Sequence, residues 1–321
     1  MVIDNLEYFT DVFFRLEKFT ELPSSVFLKL EGFNFAGSIK LKPAIFILNQ
    51  LEKEEAIKPG IHHIIESSSG NFAIALAILC HSKGYSFTAV IDPNTTSEVV
   101  KLLKVYKANI VCVNTRDQSG GYLESRINEI KTLLSKNSNF VWANQYANQY
   151  NFLSHYEITA KEIHTEFNKE NNNEPTYIFT GTSTTGTLNG LIRYFSEFCP
   201  NTKIIAVEPV GSVTFSQLTK SRLIPGIGAS RPPELSKFFD KSKLHDIVWV
   251  EEIDTINMCN RLLDEYTLFL GGSTGSVLAA ILNYKDNFTE NDTIIAISPD
   301  FGHKYIDTVY NPVWVNDNYY L

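Results

Sequence analysis

Three turns rich in Gly, Ser and Thr are the parts of this 321-residue sequence best suited to bind a charged ligand. Each comes after a run of apolar residues and before a run of small residues, a pattern that predicts a strand, a tight turn and a helix N-terminus. We name them the first polar turn (residues 67–71), the second polar turn (residues 181–186) and the third polar turn (residues 271–276). A helix N-terminus offers unpaired backbone N–H groups and a partial positive charge. Three of them in one chain indicate a ligand with more than one anionic group.

One lysine stands at an unusual place. Lys40 ends the sequence Gly-Ser-Ile-Lys and falls in the first turn of a predicted helix, where a cation is disfavoured. An isolated lysine there ordinarily extends into solvent. The functional alternative is a partly desolvated amine that can form a Schiff base with a carbonyl compound. Lys42 is expected on another face of the helix, in contact with solvent.

Each polar turn taken alone is also explained by ordinary helix capping. The density of Ser and Thr in all three favours a ligand-binding role. The first polar turn lacks the Gly-x-Gly-x-x-Gly dinucleotide fingerprint, and the sequence has no Gly-x-x-x-x-Gly-Lys-Ser/Thr phosphate loop. The ligand is therefore not predicted to be a dinucleotide or a nucleoside triphosphate.

Predicted strands and helices alternate along almost the whole chain. The predicted strands are 26–31, 61–66, 87–91, 110–113, 141–143, 177–180, 203–208, 247–250 and 293–298. The predicted helices are 38–55, 72–83, 97–106, 122–135, 155–168, 187–194, 254–265 and 277–285. This alternation predicts an α/β protein with parallel sheets covered by helices. In such sheets ligands bind at the carboxyl ends of strands, where all three polar turns fall.

Composition excludes several functional classes. The net charge is −8, from 28 Lys and Arg against 36 Asp and Glu, and this argues against a nucleic-acid surface. No run of apolar residues is long enough to cross a membrane. The first residues are acidic where a secretory signal is basic and then apolar. A cytoplasmic protein without nucleic-acid or membrane partners is expected.

The spacing of the cysteines and histidines does not indicate a metal site or a redox site. The four cysteines are far apart and form no Cys-x-x-Cys, which favours reduced and mostly buried thiols. None of the seven histidines has the spacing of metal ligands. We expect no metal, and solvated or hydrogen-bonded surface imidazoles, including that of His155.

Five motifs in register resemble the fold-type II pyridoxal-phosphate (PLP) enzymes of the cysteine synthase family. The motifs are Gly-Ser-Ile-Lys at 37–40, Ser-Ser-Gly-Asn at 68–71, the second polar turn, Gly-Ile-Gly-Ala at 226–229 and Gly-Gly-Ser-Thr-Gly at 271–275. The resemblance implies the two-lobed fold of the tryptophan synthase β type. Its smaller N-terminal lobe would be 36–144 and its larger lobe 1–35 with 145–321. It also implies a homodimer.

The resemblance implies a role for each matching residue. Lys40 would carry PLP covalently and move the α-proton of the substrate. The cofactor phosphate would be held by Gly181, Thr182, Ser183, Thr184 and Thr185. Asn71 would bind the 3′-oxygen of the cofactor and Ser273 its pyridine nitrogen. The substrate carboxylate would be held by Ser68, Ser69, Gly70 and Gln145.

A hydroxyl at the pyridine nitrogen has a chemical consequence. A neutral partner such as Ser273 does not hold the ring nitrogen protonated, so less charge delocalises into the ring. Elimination at the β-carbon is then favoured over transamination or racemisation. The cofactor supplies the electron sink and the protein supplies orientation.

Within the family, the chain most resembles the enzymes of siderophore pathways that join O-phospho-L-serine to L-glutamate. The product of that β-replacement is N-(2-amino-2-carboxyethyl)-L-glutamate, a precursor of L-2,3-diaminopropionate. The resemblance implies small amino-acid substrates, with O-phospho-L-serine or O-acetylserine as donor. Arg126 and Tyr146 would contact the leaving phosphate or the incoming glutamate.

The chain departs from the family pattern at three places. Leu41 and Lys42 follow Lys40 where the family has Asp-Arg. Phe35 follows Asn34 where the family has Pro. The Gly-Asn-Thr-Pro element near the N-terminus is absent, and residues 11–16 stand in its place.

Three other functions are consistent with the residues. A cysteine synthase of the same family would use sulfide as nucleophile, and the Ser/Thr-rich second polar turn, mostly glycine in plain cysteine synthases, argues against it. The third polar turn resembles the serine loop of Ser–Ser–Lys amidases, in which a lysine would act as base. A non-catalytic binding protein on the same fold is the third alternative.

Overall fold

The computed structural model describes residues 11–320 except 18, 20–23, 119, 172, 173 and 217, and it leaves out the side chains of 169–171. Contacts divide the described chain into two compact units. The first unit comprises residues 34–151, and the second comprises 11–33 together with 152–320. Each unit contains a sheet and the helices that cover it.

The first unit contains a four-stranded parallel sheet in the order β5-β4-β3-β6. Its strands are β3 (His63–Ser67), β4 (Ser86–Ile91), β5 (Asn109–Cys112) and β6 (Phe140–Trp142). Its helices are α1 (Leu41–Lys53), α2 (Asn71–Lys83), α3 (Ser97–Val105) and α4 (Leu123–Lys136). β3 and β4 are buried along almost their whole length, as expected for a parallel sheet covered on both faces. α2 is apolar around most of its circumference and buried from Phe72 to Cys80, so it is an internal helix.

The second unit contains a six-stranded sheet in the order β1-β2-β10-β7-β8-β9. Its strands are β1 (Phe13–Leu16), β2 (Ser25–Leu30), β7 (Tyr177–Gly181), β8 (Lys203–Pro209), β9 (Asp246–Val250) and β10 (Thr293–Ser298). Only β1 is antiparallel to its neighbour, and the other pairs are parallel. The two sheets confirm the predicted α/β class with parallel strands covered by helices.

The helices of the second unit include one that is buried for most of its length. They are α6 (Lys161–Asn171), α7 (Gly186–Phe198), α8 (Glu252–Tyr266), α9 (Gly272–Asn283) and α10 (Pro312–Tyr319). α9 is buried from Gly272 to Ile281, and its small residues allow it to lie close to the sheet and to α8. A short helix, α5 (Tyr150–Ser154), continues through a π-helical turn (His155–Ala160) into α6.

Residues 11–16, which stand in place of the family's Gly-Asn-Thr-Pro element, take part in a buried charge cluster. The ammonium of Lys29 on β2 is 2.7 Å from Asp11 Oδ1, 2.9 Å from Glu162 Oε2 and 3.6 Å from Glu31 Oε1. Its aliphatic stem is buried, and an isolated buried cation would be costly. The three carboxylates compensate that cost and join the start of β1 to β2 and α6.

Two expectations about single residues are wrong. Lys42 is 1% exposed instead of solvated. The reason is that α1 buries consecutive residues of its first turns, and not just one stripe. His155 is fully buried rather than at the surface, and its two ring nitrogens lie 3.0 Å from the Thr159 hydroxyl and 3.3 Å from the Thr187 hydroxyl. A buried imidazole with both nitrogens partnered is a satisfied core residue.

The cysteines match the expectation of reduced, mostly buried thiols. All four are free; Cys80, Cys199 and Cys259 are buried and Cys112 is exposed. Among the described residues, no helix combines the length and the apolar character needed to cross a membrane.

Candidate active site

Lys40 lies at the N-cap position of α1, one residue before the helix begins, and is half-buried. The turn before it is built by Asn34, whose Oδ1 accepts the N–H groups of Ala36 (3.0 Å) and Ser38 (3.4 Å) and whose Nδ2 donates to the Ser38 carbonyl (2.9 Å). Gly37 has φ +64°, a conformation that favours glycine. The family's Asn is thus retained as a turn former although Phe35 replaces the Pro.

Ser38, two residues before Lys40, is fully buried, and its hydroxyl has no hydrogen-bond partner among the described residues. Buried hydroxyls are nearly always hydrogen-bonded. An unsatisfied hydroxyl beside the lysine is consistent with a group that is completed by a ligand.

The first polar turn lies between β3 and α2, as predicted. The Ser68 hydroxyl accepts the N–H groups of Gly70 (3.4 Å) and Ala73 (3.2 Å), so it caps the helix. Ser69, Gly70 and Asn71 are half-buried. A Cβ on Gly70 would meet no atom within 4 Å, which shows open space above the turn. The turn therefore combines a helix cap with room for a ligand at its outer side.

Gln145 and Tyr146 follow β6 in the first unit. Asn144 turns the chain there with φ +54°, in the left-handed region where Asn is tolerated. Gln145 is buried, and its Nε2 lies 3.5 Å from the carbonyl oxygen of Ser67, at the start of the first polar turn. Tyr146 is half-buried. The structure thus brings Gln145 together with the first polar turn, and their role in holding a substrate carboxylate stays a prediction.

Arg126 lies on the buried side of α4 and is 7% exposed. Its Nη1 is 3.3 Å from Oδ2 of Asp92, which follows β4. Its Nε and Nη1 make no hydrogen bond among the described residues. A buried guanidinium with N–H groups left unsatisfied has donors available for an anion.

In the second unit, the second polar turn connects β7 to α7, as predicted. Thr182 is held at both its backbone groups, since its N–H donates to Val207 O (3.1 Å) and its carbonyl accepts from Gly228 N (2.6 Å). The Thr184 hydroxyl accepts the N–H of Gly186 (3.4 Å). Through the bond from Gly228 to Thr182, the Gly-Ile-Gly-Ala motif at 226–229 packs directly on this turn.

The second polar turn has the donors that a phosphate needs. Thr185 is the N-cap of α7 and has φ +66°. Among the described residues, the backbone N–H groups of Ser183 and Thr185 donate to no protein acceptor. Unpaired N–H groups at a helix N-terminus form a site for an anion.

The third polar turn begins α9, but the strand predicted before it is wrong: among the described residues an isolated bridge from Leu270 to Phe301 stands there instead. The hydroxyls of this turn have different partners. Thr274 lies 3.0 Å from the Ser298 hydroxyl on β10, and Ser276 lies 2.8 Å from the Thr255 hydroxyl on α8. These two hydroxyls attach α9 to its neighbours. Ser273 is 5% exposed, and its hydroxyl has no partner among the described residues. It is the hydroxyl of this turn that is available to a ligand. Gly271 leaves no room for a side chain because Asp300 lies against it.

Two kinds of residue escaped the sequence analysis. Asn189 shapes the turn that carries Thr185, and the signal was an amide four residues after that predicted site residue. Asn34, named above only for its place in the family motif, shapes the turn that carries Lys40. His164, Glu174 and Cys199 bring their potential ligand atoms within 4.8 Å of one another, although they are far apart in sequence. Burial, and then the nearby Glu174, raise the pKa of the Cys199 thiol to about 12. The absence of a metal bound to this trio stays a prediction.

Comparison with known proteins identifies the class of protein. The family of pyridoxal-phosphate dependent enzymes matches residues 5–300, and the chain belongs to this family. PLP is its cofactor.

Similar proteins of known name include two curated bacterial relatives. N-(2-amino-2-carboxyethyl)-L-glutamate synthase of Ralstonia nicotianae is 40% identical over 91% of this chain and 84% of its own length. The synthase of the same name from Cupriavidus metallidurans is 39% identical over 92% of this chain and 86% of its own length. The resemblance found in the sequence is confirmed, and the chain is a PLP-dependent enzyme of β-replacement.

Solved structures give the same fold. O-ureido-L-serine synthase superposes with a TM-score of 0.84 at 28% identity, covering 96% of this chain and 93% of the other. A hydrogen sulfide-producing enzyme from Fusobacterium nucleatum superposes with a TM-score of 0.82 at 28% identity, covering 92% of this chain and 96% of the other. The fold-type II assignment is confirmed. The amidase interpretation of the third polar turn, and the interpretation as a non-catalytic binding protein, are set aside.

The residues present fit PLP. The unpaired N–H groups of Ser183 and Thr185 suit its phosphate, and the unpartnered hydroxyl of Ser273 suits a ring nitrogen. When bound, PLP supplies the electron sink for chemistry at the α- and β-carbons of an amino acid.

Proposed function

We propose that the enzyme joins O-phospho-L-serine to L-glutamate to give N-(2-amino-2-carboxyethyl)-L-glutamate and inorganic phosphate, toward L-2,3-diaminopropionate in siderophore or related specialised metabolism. The C–O bond at the β-carbon of phosphoserine breaks, and phosphate leaves with the bonding pair. The amino nitrogen of glutamate forms the new C–N bond and loses one proton. The 40% identity to a synthase of that name over nine-tenths of the chain is the observation that carries the proposal.

The proposed roles of the residues follow from what each can do. The amine of Lys40 holds the cofactor covalently and moves the α-proton of the substrate. The second polar turn, through Gly181, Thr182, Ser183, Thr184 and Thr185, holds the cofactor phosphate with N–H groups and hydroxyls. Asn71 binds the 3′-oxygen and Ser273 the ring nitrogen.

A second group of residues holds the substrate. Ser68, Ser69 and Gly70 offer the hydroxyls and N–H groups of a helix start to the substrate carboxylate, and Gln145 offers its amide. Tyr146 and Arg126 contact the leaving phosphate or the incoming glutamate. The buried guanidinium of Arg126, with two nitrogens lacking a hydrogen bond, supports an anionic substrate over a neutral one.

The deciding experiment is a product assay. PLP-loaded protein is incubated with O-phospho-L-serine and L-glutamate, and the product is identified by mass and by release of phosphate. O-acetylserine as donor, and aspartate, glutamine or 2,3-diaminopropionate as nucleophile, are run in parallel. Product from O-phospho-L-serine and glutamate supports the proposal, and its absence with both donors contradicts it.

Arg126→Lys separates a substrate contact from a structural role. If Arg126 binds the leaving phosphate, kcat/KM should fall about 10- to 100-fold with O-phospho-L-serine, since a charge-assisted hydrogen bond contributes about 1.5–3 kcal/mol. With O-acetylserine the fall should be much smaller. An equal fall with both donors would indicate instead that Arg126 contacts the incoming glutamate or acts through its ion pair with Asp92.

The second candidate function is a cysteine synthase that uses sulfide. The structural similarity to a protein named as a hydrogen sulfide-producing enzyme supports sulfide chemistry on this fold, and therefore this candidate. Competition between sulfide and glutamate for the same donor distinguishes the two functions. A kcat/KM for sulfide that exceeded that for glutamate would replace the first proposal with this one.

A homodimer is also proposed from the family resemblance, together with a cytoplasmic location. Light scattering coupled to size-exclusion chromatography tests the first: a mass of one chain, 36.3 kDa, would contradict it.

A further inference from the structure

Glu66 is a buried carboxylate that none of the proposed roles uses. It is the next-to-last residue of β3, directly before the first polar turn, and it is 0% exposed. Its Oε1 accepts the N–H of Ser67 (2.7 Å) and the indole Nε1–H of Trp142 (3.1 Å). Its Oε2 accepts the backbone N–H of Gln145 (3.1 Å). Buried charges persist where they are hydrogen-bonded in this way.

The three donors lie at or just beyond the ends of β3 and β6, where the backbone pairing of the two strands stops. β3 and β6 pair in parallel as far as Ile65 and Trp142, and the last ladder bond runs from Ala143 N to Ile65 O at 3.2 Å. Beyond it Asn144 turns the chain away with φ +54°. The Glu66 carboxylate therefore joins the two strand ends where the ladder stops.

Gln145 is held from more than one side. Its N–H is bound by Glu66, its carbonyl oxygen accepts Nδ2 of Asn151 (2.7 Å), and its Nε2 lies 3.5 Å from Ser67 O. With the backbone fixed by the first two bonds, the side-chain amide is directed toward the first polar turn.

We propose that Glu66 is a positioning residue, which sets the spacing between the first polar turn and Gln145 and thereby the geometry of the substrate-carboxylate site. This inference rests on the proposed function, in which those residues hold that carboxylate. Glu66 acts through the backbone of Ser67 and Gln145 and does not touch the substrate.

The chemistry of the three donors requires a carboxylate at this place. A carboxylate only accepts hydrogen bonds, so its two oxygens can receive three N–H groups. In Glu66→Gln the amide NH2 must face one of these donors. With the oxygen kept toward Ser67 and Trp142, the NH2 faces the Gln145 N–H and that connection is lost.

Burial raises the pKa of Glu66 to about 7, against the opposing effect of the hydrogen bonds from Trp142, Gln145 and Ser67 and of the Arg126 charge. The charged groups that face it are Arg126 on α4 and, behind that guanidinium, Asp92 after β4. Protonation places an O–H among three N–H donors and weakens the connection.

The Trp142 indole reports on Glu66 without any activity measurement. The chain has three tryptophans, so its indole ¹⁵N–¹H signals are few and assignable by single Trp→Phe variants. In PLP-loaded protein the Trp142 signal should titrate with a midpoint near pH 7, and Glu66→Gln should abolish the titration. The Trp249 and Trp314 signals should be unchanged by the variant. A Trp142 signal that titrates equally in both proteins overturns the inference.

Kinetics of the holoenzyme test the positioning role itself. Glu66→Gln should raise KM for the amino-acid donor about 10-fold, the loss of roughly one hydrogen bond to a charged group, with kcat changed less than about threefold. Cofactor content should not change. Glu66→Asp, which keeps the charge, should recover part of the loss, and the exposed Glu265→Gln should match the wild type. Unchanged KM in Glu66→Gln overturns the inference.

The proposed function can fail separately. If the wild-type protein consumed neither O-phospho-L-serine nor O-acetylserine, that function would be contradicted. Glu66 would then be judged from the Kd of L-serine measured through the visible absorbance of the bound cofactor. An equal Kd in wild type and Glu66→Gln overturns the positioning role.

Discussion

Asn189 donates a hydrogen bond from its side-chain nitrogen to the hydroxyl of Thr185, at 3.2 Å, across the first turn of α7. Thr185 has φ +66°, a conformation that a β-branched residue rarely adopts and that costs of order 1–3 kcal/mol. Asn189 also donates to Leu235 O at 3.0 Å and is buried. It therefore holds the strained residue whose N–H we propose as a donor to the cofactor phosphate.

Asn189→Ala should weaken PLP binding. Without Asn189, Thr185 can leave its strained conformation, and part of the set of N–H donors is lost. We therefore expect the Kd of PLP to rise about 10-fold. The carbonyl of Leu235 also loses its donor, which should lower the free energy of unfolding by about 1–3 kcal/mol. Fluorescence titration with PLP and urea unfolding measure the two effects. Asn260→Ala is the control, because Asn260 also donates to a backbone carbonyl, that of Ile256 at 2.9 Å, in another helix of the same unit. An unchanged Kd in Asn189→Ala would refute the role.

Ser273 and Ser276 lie three residues apart on α9 and should respond oppositely to alanine. Ser273 has no side-chain partner within the described part of the chain, so Ser273→Ala should unfold like the wild type but lower activity. Ser276→Ala loses the bond to Thr255 and should cost about 1 kcal/mol of stability with PLP binding retained. Ser273→Asp should keep a ring nitrogen protonated and raise transamination relative to β-replacement. Identical behaviour of the two alanine variants would contradict the assignment.

The buried carboxyl of Glu208 predicts that the stability of the protein depends on pH. It lies on β8, is 0% exposed, and burial raises its pKa from 4.5 to about 7. Because the folded value is the higher one, its stabilising contribution is complete below pH 4.5 and is lost as the pH rises toward 7. At about 1.4 kcal/mol per pKa unit, the loss amounts to roughly 3 kcal/mol.

Glu208→Gln should therefore become more stable relative to wild type as the pH is raised. Urea unfolding at pH 4.5, 6 and 8 should show the difference in unfolding free energy shifting toward the variant by up to about 3 kcal/mol. The exposed Glu290→Gln serves as control and should show no such trend. A difference that stays constant between pH 4.5 and 8 would show that Glu208 ionises as easily in the folded protein as in the unfolded chain.

Much of the fold was predictable because the local sequence pattern of many segments indicates the same secondary structure that they adopt in the folded protein. The strand predicted at 293–298 is β10 to the residue, and the helix predicted at 72–83 is α2 with one added residue. Both are continuous apolar segments bounded by polar turns, so their burial and their local pattern give the same answer. The first and second polar turns follow β3 and β7 as predicted for the same reason, but the strand predicted before the third polar turn is wrong.

Other features depend on contacts that local pattern does not contain. The helix that continues from Tyr150 to Asn171 was predicted only from 155, because amide-rich residues favour turns over helix. β1 is a four-residue edge strand that exists through its antiparallel pairing with β2. The burial of Lys42 and the hydrogen bond from Gln145 to Glu66 depend on tertiary packing. Neither can be predicted from residue type, because Lys and Glu are rarely buried.

The proposed site residues also divide into those that the local sequence pattern predicts and those whose contacts depend on tertiary packing. Lys40, Ser273 and the second polar turn stand where a motif of several residues fixes both the backbone and the side chain. Arg126 was named from a motif on a helix, but its ion pair with Asp92 depends on how α4 packs against the sheet. Its contact with substrate stays a prediction until the donor-dependent kinetics are measured.

The most direct test asks which amine holds the cofactor. Holoprotein is reduced with borohydride, digested, and the modified peptide is fragmented so that Lys40 and Lys42 are distinguished by mass. The account predicts one reduced pyridoxyl phosphate on Lys40, and a Lys40→Ala protein that still binds PLP but retains no covalent label at this peptide. A label on Lys42 or on any other lysine, or no label on a protein that turns over substrate, would contradict it.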